Sequence, residues 1–494
     1  MQFPKKQIRF TATQKRVIIA LNVLILAIVV PFLIITFWPG GPPYLGGGNV
    51  DIPADAQPYE RVRDARMSLN PHIDWETNIG GTGNDIPGVV VNHGGHFHIF
   101  GTTTSTDLDF ETEISGQKLS MATLSILGRT QNFAVLDHGP SINVIKGIRF
   151  GNGVTLLLYN RSDTAVIARI TCDGTVTHSF ERTNSHGVEF IMDNGRIVLV
   201  LRHEQGSFHS GLTVLILNEN LQPDNTASWH TRSTNISHRS LEFNSIFRAP
   251  GGSDRFHVFA TDTFRRAPVI VEFSQSFNPH AEDYVHNVGL NSVPNFELHD
   301  VIPFVDGASR FMMTGVSNGE PHLIAVKFEN NRFAGGGHFA LAGTMNITGA
   351  THTRFLMVDC NDGPPEFFVF ASSPSRSAVR RLAKGSTPLA PPSTAFDSLN
   401  NSAFVADTIL SRPNAPVHET LLFGSDINNS LFLSRLSATA AAHILTFGGQ
   451  RTDTAVAMTL TDRGVIIIAA TNSDEGDVGA NFGGIDTWVA FVPL

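Results

Sequence analysis

The two ends of this chain carry the same short pattern, and this repeat constrains the fold more than any other feature. Each copy has two glycines, an aspartate four residues after the second glycine, a strand-like run, and then Thr-x-Ser and a further aspartate. The matched pairs, all at one constant offset, are Gly80 and Gly448, Gly81 and Gly449, Asp85 and Asp453, Ile99 and Ile467, Thr103 and Thr471, Ser105 and Ser473, and Asp109 and Asp477. A repeat that opens and closes a long chain predicts a closed ring of repeated units. It predicts an architecture and no activity.

Between the two copies, short apolar runs alternate with turn-forming residues. Eight of these runs recur at intervals of roughly 40 to 60 residues, which is the period of four-stranded propeller blades. They are His96–Phe100, Val154–Tyr159, Arg196–Leu201, Phe256–Ala260, Phe311–Gly315, Phe367–Ala371, Thr420–Gly424 and Val465–Ala469. Their length and their β-branched and aromatic content are typical of strands. We therefore predict an all-β chain whose residues 71–494 form a β-propeller.

The last repeat unit lacks one strand. It has three predicted strands, Thr454–Leu460, Val465–Ala470 and Thr487–Val492, and the sequence then stops at Leu494. We expect His72–Asn78, within residues 71–84, to supply the fourth strand and close the ring, because closure removes exposed sheet edges. The prediction is eight four-stranded blades, with seven as the alternative if the weak unit around 347–400 is misread.

An uncharged apolar segment, residues 17–38, lies near the N-terminus. At the helical rise it spans about 33 Å, enough for the hydrocarbon core of a bilayer. The residues before it are basic: Lys5, Lys6, Arg9, Lys15 and Arg16. The positive-inside rule then predicts a single-pass signal-anchor in the cell membrane, with residues 1–16 cytoplasmic and the propeller extracellular. A cleaved signal peptide and a buried core helix are the alternatives.

Residues 39–70 are rich in Pro and Gly, and we interpret them as a tether between anchor and propeller. The net charge of the whole chain is −9, and the basic N-terminal tail makes the remainder more acidic still. This charge excludes the broad basic face that nucleic-acid binding requires. We expect a monomeric ring with no nucleic-acid partner.

The chain has two cysteines, Cys172 and Cys360. The repeat pattern places them in opposite blades, too far apart for a disulfide. We expect both to be small buried residues, which is the common state of free cysteine.

The loops after the second strands of the first and last units are the most acidic in the chain. Their acidic residues are Asp107, Asp109, Glu111, Glu113, Asp474, Glu475, Asp477 and Asp486. Carboxylate oxygens suit Ca²⁺, so a speculative calcium site would use Asp107, Asp109, Asp474, Asp477 and Asp486. The alternative is that these residues form turns and keep the surface soluble. No other cofactor is expected.

His93, His96 and His98 form a second candidate site. Because side chains alternate along a strand, His96 and His98 point to one face, where two imidazoles suit Zn²⁺. No Cys or Glu has the spacing to complete such a site. The alternative is a set of half-buried or surface histidines with no metal.

The terminal units resemble repeats of exported bacterial proteins. The residues that carry the resemblance are Phe447-Gly-Gly-Gln-Arg-Thr-Asp453, Thr471-Asn-Ser-Asp-Glu-Gly-Asp477 and Asn481-Phe-Gly-Gly-Ile-Asp-Thr-Trp488-Val489. Such repeats occur in β-propellers predicted for the bacterial cell surface, a family without an established general function. The resemblance covers about 450–494 and 72–109, and it implies a fold and a location only.

Sequence motifs of the common hydrolases are absent: there is no Gly-x-Ser-x-Gly, no His-Glu-x-x-His and no P-loop. Trp75 and Trp488 lie on predicted strands of the closing blade, where we expect them to pack rather than to bind sugars. The leading hypothesis is an extracellular binding or scaffold module with a protein or small-molecule ligand on its loop face. The alternatives are a hydrolase or lyase with its site at the propeller channel, and a purely structural surface protein. An enzyme should show ionisable side chains with shifted pKa values converging at the channel mouth. A scaffold should show a channel lined by small or apolar groups, with its distinctive surface on an outer loop face.

Overall fold

The computed structural model divides the chain into two units, Met1–Arg61 and Val62–Leu494, and every residue that it describes belongs to the second. The described residues run from 72 to 494. The gaps are 111, 113, 205–209, 224–228, 231–240, 249–254, 264–265, 275–284, 288–294, 307, 330–331, 335–337, 341–348, 359–365, 374–375, 383–403, 413–418, 427–429, 438–442, 450 and 475–480. The predicted tail, anchor and tether, residues 1–70, lie outside the described part, as does Cys360.

The described residues form eight antiparallel sheets and one short 3-10 turn, Leu108–Phe110. The first sheet contains β2 (Asp85–Asn92), β3 (His96–Thr103), β4 (Gln117–Ser125) and β5 (Thr130–Gly139), and the second contains β6 (Ile142–Gly151), β7 (Val154–Arg161), β8 (Thr164–Thr171) and β9 (Val176–Arg182). The third contains β10 (His186–Asp193), β11 (Arg196–Glu204), β12 (Ser210–Leu217) and β13 (Trp229–His230), and the fourth contains β14 (Leu241–Arg248), β15 (Arg255–Asp262), β16 (Ala267–Ser274) and β17 (Val285–Asn287).

The remaining four sheets follow in chain order. The fifth contains β18 (Phe296–Asp306), β19 (Ala308–Ser317) and β20 (Glu320–Glu329), with β21 (Arg332–Ala334) and β22 (His338–Ala340) both paired to β20, and the sixth contains β23 (His352–Val358), β24 (Glu366–Ser373) and β25 (Arg376–Leu382). The seventh contains β26 (Phe404–Arg412), β27 (Glu419–Asp426), β28 (Leu431–Ser437) and β29 (His443–Phe447), and the eighth contains β30 (Asp453–Leu460), β31 (Gly464–Thr471), β32 (Asp486–Pro493) and β1 (Trp75–Ile79). The prediction of an all-β chain is confirmed for this part of the molecule.

Each of the eight apolar runs found in the sequence lies within the second strand of a sheet. Neighbouring sheets cover both faces of such a strand, so its sequence reads as a nearly continuous apolar run. Val465, Ile466, Ile467 and Ile468 of β31, for example, are all 0% exposed. The short apolar runs bounded by turn residues therefore identified an interior strand of each sheet.

Strand β1 pairs antiparallel with β32, although 400 residues separate them in the chain. Trp75 lies opposite Phe491 and Ile79 opposite Thr487, and the Trp75 and Phe491 rings stack 6.1 Å apart. The expected pairing is present, but the strand begins at Trp75, three residues later than predicted, and ends at Ile79, one residue later. A strand from the start of the described chain therefore completes the order β1-β32-β31-β30.

Neighbouring sheets pack face to face through apolar side chains. The first strands of successive sheets contact one another in chain order, and β2 also contacts β30. Trp488 is fully buried in the core between the seventh and eighth sheets, and its Nε1–H donates to the Glu76 carboxylate at 3.2 Å. Trp75 packs between the eighth and first sheets. Both tryptophans are packing residues, as expected.

Seven of the eight first strands carry a β-bulge at their third or fourth residue. The extra residues are Gly88, Ile145, Val188, Asn244, His299, Asp407 and Val456. A bulge leaves one residue without a cross-strand partner and redirects it. In the fourth and fifth sheets this residue is polar, whereas the first three sheets place Gly, Ile and Val there.

Cys172 is exposed, so its predicted burial is wrong. It follows β8 in a tight turn, in which Gly174 N–H donates to the Thr171 carbonyl at 2.9 Å. The turn, and not the apolar strand before it, sets the exposure of this thiol.

Within the described residues, no helix has the length and apolar character needed to cross a bilayer. The segment predicted to do so, 17–38, is not among them.

Candidate functional site

The repeated Gly-Gly motif is a turn held by a buried aspartate. In the first copy, the Asp85 carboxylate accepts hydrogen bonds from Gly81 N–H at 2.8 Å and from the Ser105 hydroxyl at 2.7 Å. The second copy makes the same two bonds, to Asp453 from Gly449 at 2.9 Å and from Ser473 at 3.3 Å. In each copy, the aspartate at the start of the first strand binds the glycine loop before that strand and the serine just after the second strand. The repeated sequence pattern is therefore a hydrogen-bonded turn with the same geometry in both copies.

Three further carboxylates surround the first copy of this turn. Asp109 accepts from Gly80 N–H at 3.1 Å and Asp107 from Thr82 N–H at 2.9 Å. Asp486, at the start of β32, accepts from Phe482 N–H at 2.6 Å. We call Asp85, Asp107, Asp109 and Asp486 the closing carboxylates, because they lie where β1 meets β32.

Burial dominates the electrostatics of this group. Asp486 and Asp85 are buried, and the Oδ1 atom of each has no hydrogen-bond partner among the described residues. Burial raises the pKa of Asp486 to about 7, and the neighbouring carboxylates of Asp85 and Asp109 add to that rise. Burial also raises the pKa of Asp85. Part of this cluster is therefore protonated at neutral pH.

Gly80 lies between two of these carboxylates, with no room for a side chain. A Cβ on this residue would overlap Asp486 Oδ1 and lie 2.9 Å from Asp85 Oδ2. We expect Gly80→Ala to lower the free energy of unfolding by about 2 kcal/mol or more, as overpacking does in a rigid core. Urea unfolding followed by circular dichroism measures the loss.

The matched control is Gly95→Ala, because no atom lies within 4 Å of the Cβ position at Gly95. This variant should stay within about 0.5 kcal/mol of the parent protein. Equal stability of the two variants would contradict the tight packing around Gly80.

The closing carboxylates do not form a metal site in the described part of the chain. No group of three or more His, Cys, Asp or Glu side chains there is placed to hold a metal ion. Of the predicted calcium ligands, Asp107, Asp109 and Asp486 lie together, whereas Asp474 pairs with Arg451 at 3.3 Å. Asp477, like Glu111, Glu113 and Glu475, lies outside the described residues, so the five-residue calcium site stays a prediction.

His93, His96 and His98 do come together, with ring centroids 4.1 to 5.2 Å apart. Burial lowers the pKa of His93 to about 4 and that of His98 to about 3, so both rings are neutral. The Thr155 hydroxyl lies 2.9 Å from His93 Nε2 and 2.9 Å from His98 Nδ1. Since one hydroxyl donates only one proton, it donates to one ring and accepts from the other. The group is a neutral buried cluster rather than an open pair of metal ligands.

A polar cavity of about 340 Å³ lies at the first strands of the fourth, fifth and sixth sheets, beside two of the bulges. We call it the anionic cavity. Its lining residues are Glu242, Phe243, Asn244, Glu297, Leu298, His299, Asp300, His352 and Arg354. Six of these lining residues are ionisable, and they come from three strands, β14, β18 and β23.

The bulged His299 is held in one tautomer. Thr353 N–H donates to His299 Nδ1 at 3.1 Å, so the proton of the neutral ring is on Nε2. Nε2 lies 3.5 Å from a Glu297 carboxylate oxygen, and the ring stacks on His352 at 5.2 Å. Burial lowers the pKa of His299, and the nearby Glu297 opposes that change. His299 therefore presents a neutral N–H donor beside a carboxylate.

Asp300, next to the bulge, ties the fifth sheet to the sixth. Its carboxylate accepts from Val301 N–H and from Phe355 N–H, both at 2.8 Å. Burial raises the pKa of this carboxyl, while the two backbone donors favour its charged form. The cavity wall is therefore rigid at the point where His299 projects.

A second cavity of about 410 Å³ adjoins the first at the first strands of the second, third and fourth sheets. Its lining residues are Asn143, Ile145, Asn160, His186, Gly187, Val188, Glu189, Arg202, Phe243 and Asn244. It shares Phe243 and Asn244 with the anionic cavity. Arg202 lines it, and the buried Nε of this residue makes no hydrogen bond within the described part of the chain. We call it the arginine cavity.

Sequence reasoning missed both cavities, since no motif marks their residues. A signal was present in the repeat alignment: Asn244 and His299 occupy the position that holds Gly88 and Val188 in other sheets. The position is also polar in the seventh sheet, where it holds Asp407, and small or apolar in the other bulged strands, so it marks the units that differ in chemistry.

No family model and no curated protein matches this chain. Solved structures similar to it include the Dos1 propeller, with 10% identity over 84% of this chain and 93% of that one and a TM-score of 0.45. An oligogalacturonate lyase in complex with manganese has 9% identity over 87% and 96%, with a TM-score of 0.42. The dihydro-heme d1 dehydrogenase NirN in complex with DHE has 12% identity over 94% and 84%, with a TM-score of 0.46. At these values the likeness supports no inference about activity.

Proposed function

We propose that this chain is a membrane-anchored, extracellular eight-bladed β-propeller that binds a small polar ligand in its anionic cavity. The blade count is supported by eight sheets whose first strands contact one another in order, with β2 against β30. The closure is supported by the pairing of β1 with β32. In such a ring the first strands line the central channel, so the cavity opens towards it.

The observation that carries the binding function is the convergence of His299, Asp300 and Arg354 with exposed carboxylates in one cavity. Ligand sites combine a preformed concave shape with a few fixed polar groups. His299 is fixed by Thr353, and Asp300 by two backbone N–H groups. This cavity therefore offers oriented donors and acceptors without needing to rearrange.

A hydrolase or lyase is the second candidate, favoured by the Glu297 carboxylate 3.5 Å from His299. A carboxylate beside a histidine can act as a base. However, the Glu297 carboxylate is 68% exposed to solvent, and the neutral His299 ring beside it donates from Nε2. The geometry supports binding better than proton abstraction.

The test of binding is a ligand screen by saturation-transfer NMR, with the full chain in nanodiscs and a library of amino acids, sugars and carboxylic acids. We expect at least one compound to bind, and to bind about 10-fold more weakly to His299→Ala, since a lost hydrogen bond to a polar ligand costs at least that factor. His138→Ala, at an exposed position on β5, is the control and should bind like the parent. Absence of any hit, or equal binding to both variants, would overturn the proposal.

Turnover of any compound found in that screen distinguishes the enzyme from the binding module. Product formation that is lost in Glu297→Gln would favour the hydrolase or lyase. Unchanged ligand after prolonged incubation favours binding alone.

The anchor is supported by residues 17–38 and the basic residues before them. Alkaline extraction of intact cells should leave the full chain in the membrane fraction and release a chain that lacks residues 1–38. Release of both chains would overturn the anchoring.

A further inference from the structure

We infer that the anionic cavity and the arginine cavity together bind one elongated zwitterionic ligand, with its cationic group beside Glu242 and Glu297 and its anionic group on Arg202. This inference rests on the proposed binding function and specifies the chemical class of the ligand. The two cavities meet at Phe243 and Asn244, which line both.

The anionic cavity favours a cation. Three carboxyl groups, Glu242, Glu297 and Asp300, line it against one guanidinium, Arg354. Asp300 already accepts two backbone N–H bonds, whereas Glu297 is 68% exposed at the cavity surface. An ammonium group would gain charge-assisted hydrogen bonds from these exposed carboxylates.

The arginine cavity favours an anion. The Glu189 carboxylate that lines it is already occupied, because Lys146 Nζ lies 2.7 Å from Glu189 Oε1 and Phe190 N–H donates to the same oxygen at 2.7 Å. Arg202, in contrast, lines the cavity and is partly exposed, and its Nε makes no hydrogen bond among the described residues. A carboxylate matches a guanidinium in geometry and charge. Arg202 is therefore the cationic group that this cavity offers to an anion.

Asn244 stands between the two charged regions. It is the bulged residue of β14, and its side-chain amide donates to the Leu298 carbonyl at 3.3 Å. This bond joins the fourth sheet to the fifth and holds the wall that both cavities share. A ligand with two opposite charges would extend past Phe243 and Asn244 and occupy both cavities. A ligand with one charge would occupy only one cavity.

The experiment uses isothermal titration calorimetry on the full chain with linear ω-amino carboxylates of four to eight carbons. Hexylamine and hexanoate are the probes with one charge. We expect at least one amino carboxylate to bind about 10-fold more tightly than either of these, since each charge-assisted contact adds that factor or more. Arg202→Gln should remove the advantage over hexylamine, and Glu297→Gln the advantage over hexanoate.

Arg129→Gln, at an exposed turn between β4 and β5, is the control and should bind all probes like the parent. Equal binding of the zwitterions and the singly charged probes would overturn the inference. If hexylamine binding depends on His299 while the carboxylate adds nothing, the binding function stands and only the zwitterion is wrong. If no probe binds and the NMR screen finds no compound that depends on His299, both fail.

Discussion

A chain that lacks residues 1–79 should unfold at a much lower temperature than one that lacks residues 1–70. The longer deletion removes β1, which carries the buried side chains Trp75 and Ile79, and it also removes buried Ile73. At about 1.5–3 kcal/mol for each large apolar side chain, the loss is about 5 kcal/mol or more. A loss of this size is comparable to the whole stability of many domains.

The deletion also leaves polar groups of β32 without partners. Trp488 Nε1 loses its Glu76 acceptor, and the backbone of β32 becomes an exposed sheet edge. Thermal unfolding followed by circular dichroism compares the two chains, and the shorter deletion is the control because it keeps β1. Equal melting temperatures would mean that β1 does not complete the eighth sheet.

The substitution Asp486→Asn should make the protein more stable at pH 8 and leave it nearly unchanged at pH 4. In the folded chain the pKa of Asp486 is raised to about 7 from an ordinary value of 3.8. A raised pKa means that folding favours the protonated carboxyl. Its contribution is complete below pH 4 and is lost as the pH rises through 7.

The size of this effect follows from the same linkage. The rise in pKa corresponds to about 4 kcal/mol between pH 4 and pH 8, and Asp486 is fully buried, so solvent does not screen it. The asparagine amide keeps an acceptor for Phe482 N–H and carries no charge at any of these pH values. At pH 8 the parent carries a buried charge at this position and the variant does not, so the variant should be more stable by a few kcal/mol.

Urea unfolding of both proteins from pH 4 to pH 8 measures the difference in unfolding free energy. Asp474→Asn is the control, because this carboxylate is 53% exposed, and this variant should stay within about 0.5 kcal/mol of the parent protein. A difference for Asp486→Asn that is constant across this range would contradict the protonation of Asp486 in the fold.

The sheets could be predicted from the sequence because each strand and each turn is encoded by its own residues. Runs such as Val465–Ala469 carry their burial in their own composition, and turns such as that after Gly80 carry their geometry in theirs. The pairing of β1 with β32 was also predictable, because the last repeat unit has only three predicted strands of its own and lacks the fourth. These features need only alignment of the chain with itself.

The cavities were not predictable in the same way. Asn244 and Leu298, or His299 and Thr353, are each 54 residues apart, and no short motif joins them. A bulge also inserts one extra residue into a strand, so the side chains after it point to the opposite faces from those that simple alternation predicts. The predicted burial of Cys172 was wrong for a related reason. Strand β8 ends at Thr171, and the turn that follows exposes the thiol.

The pairing of β1 with β32 has a consequence during synthesis. Glu76 and Trp488, which bond across these strands, are 412 residues apart. At about 5–20 residues per second, the ribosome needs roughly 20 to 80 s to make that length of chain. Throughout this interval Trp75 and Ile79 have left the ribosome and their partner strand does not exist. Strand β1 is thus the first of the described strands to be synthesised and the last to pair. Until β32 is made, the unpaired β1 must not pair with strands of other nascent chains.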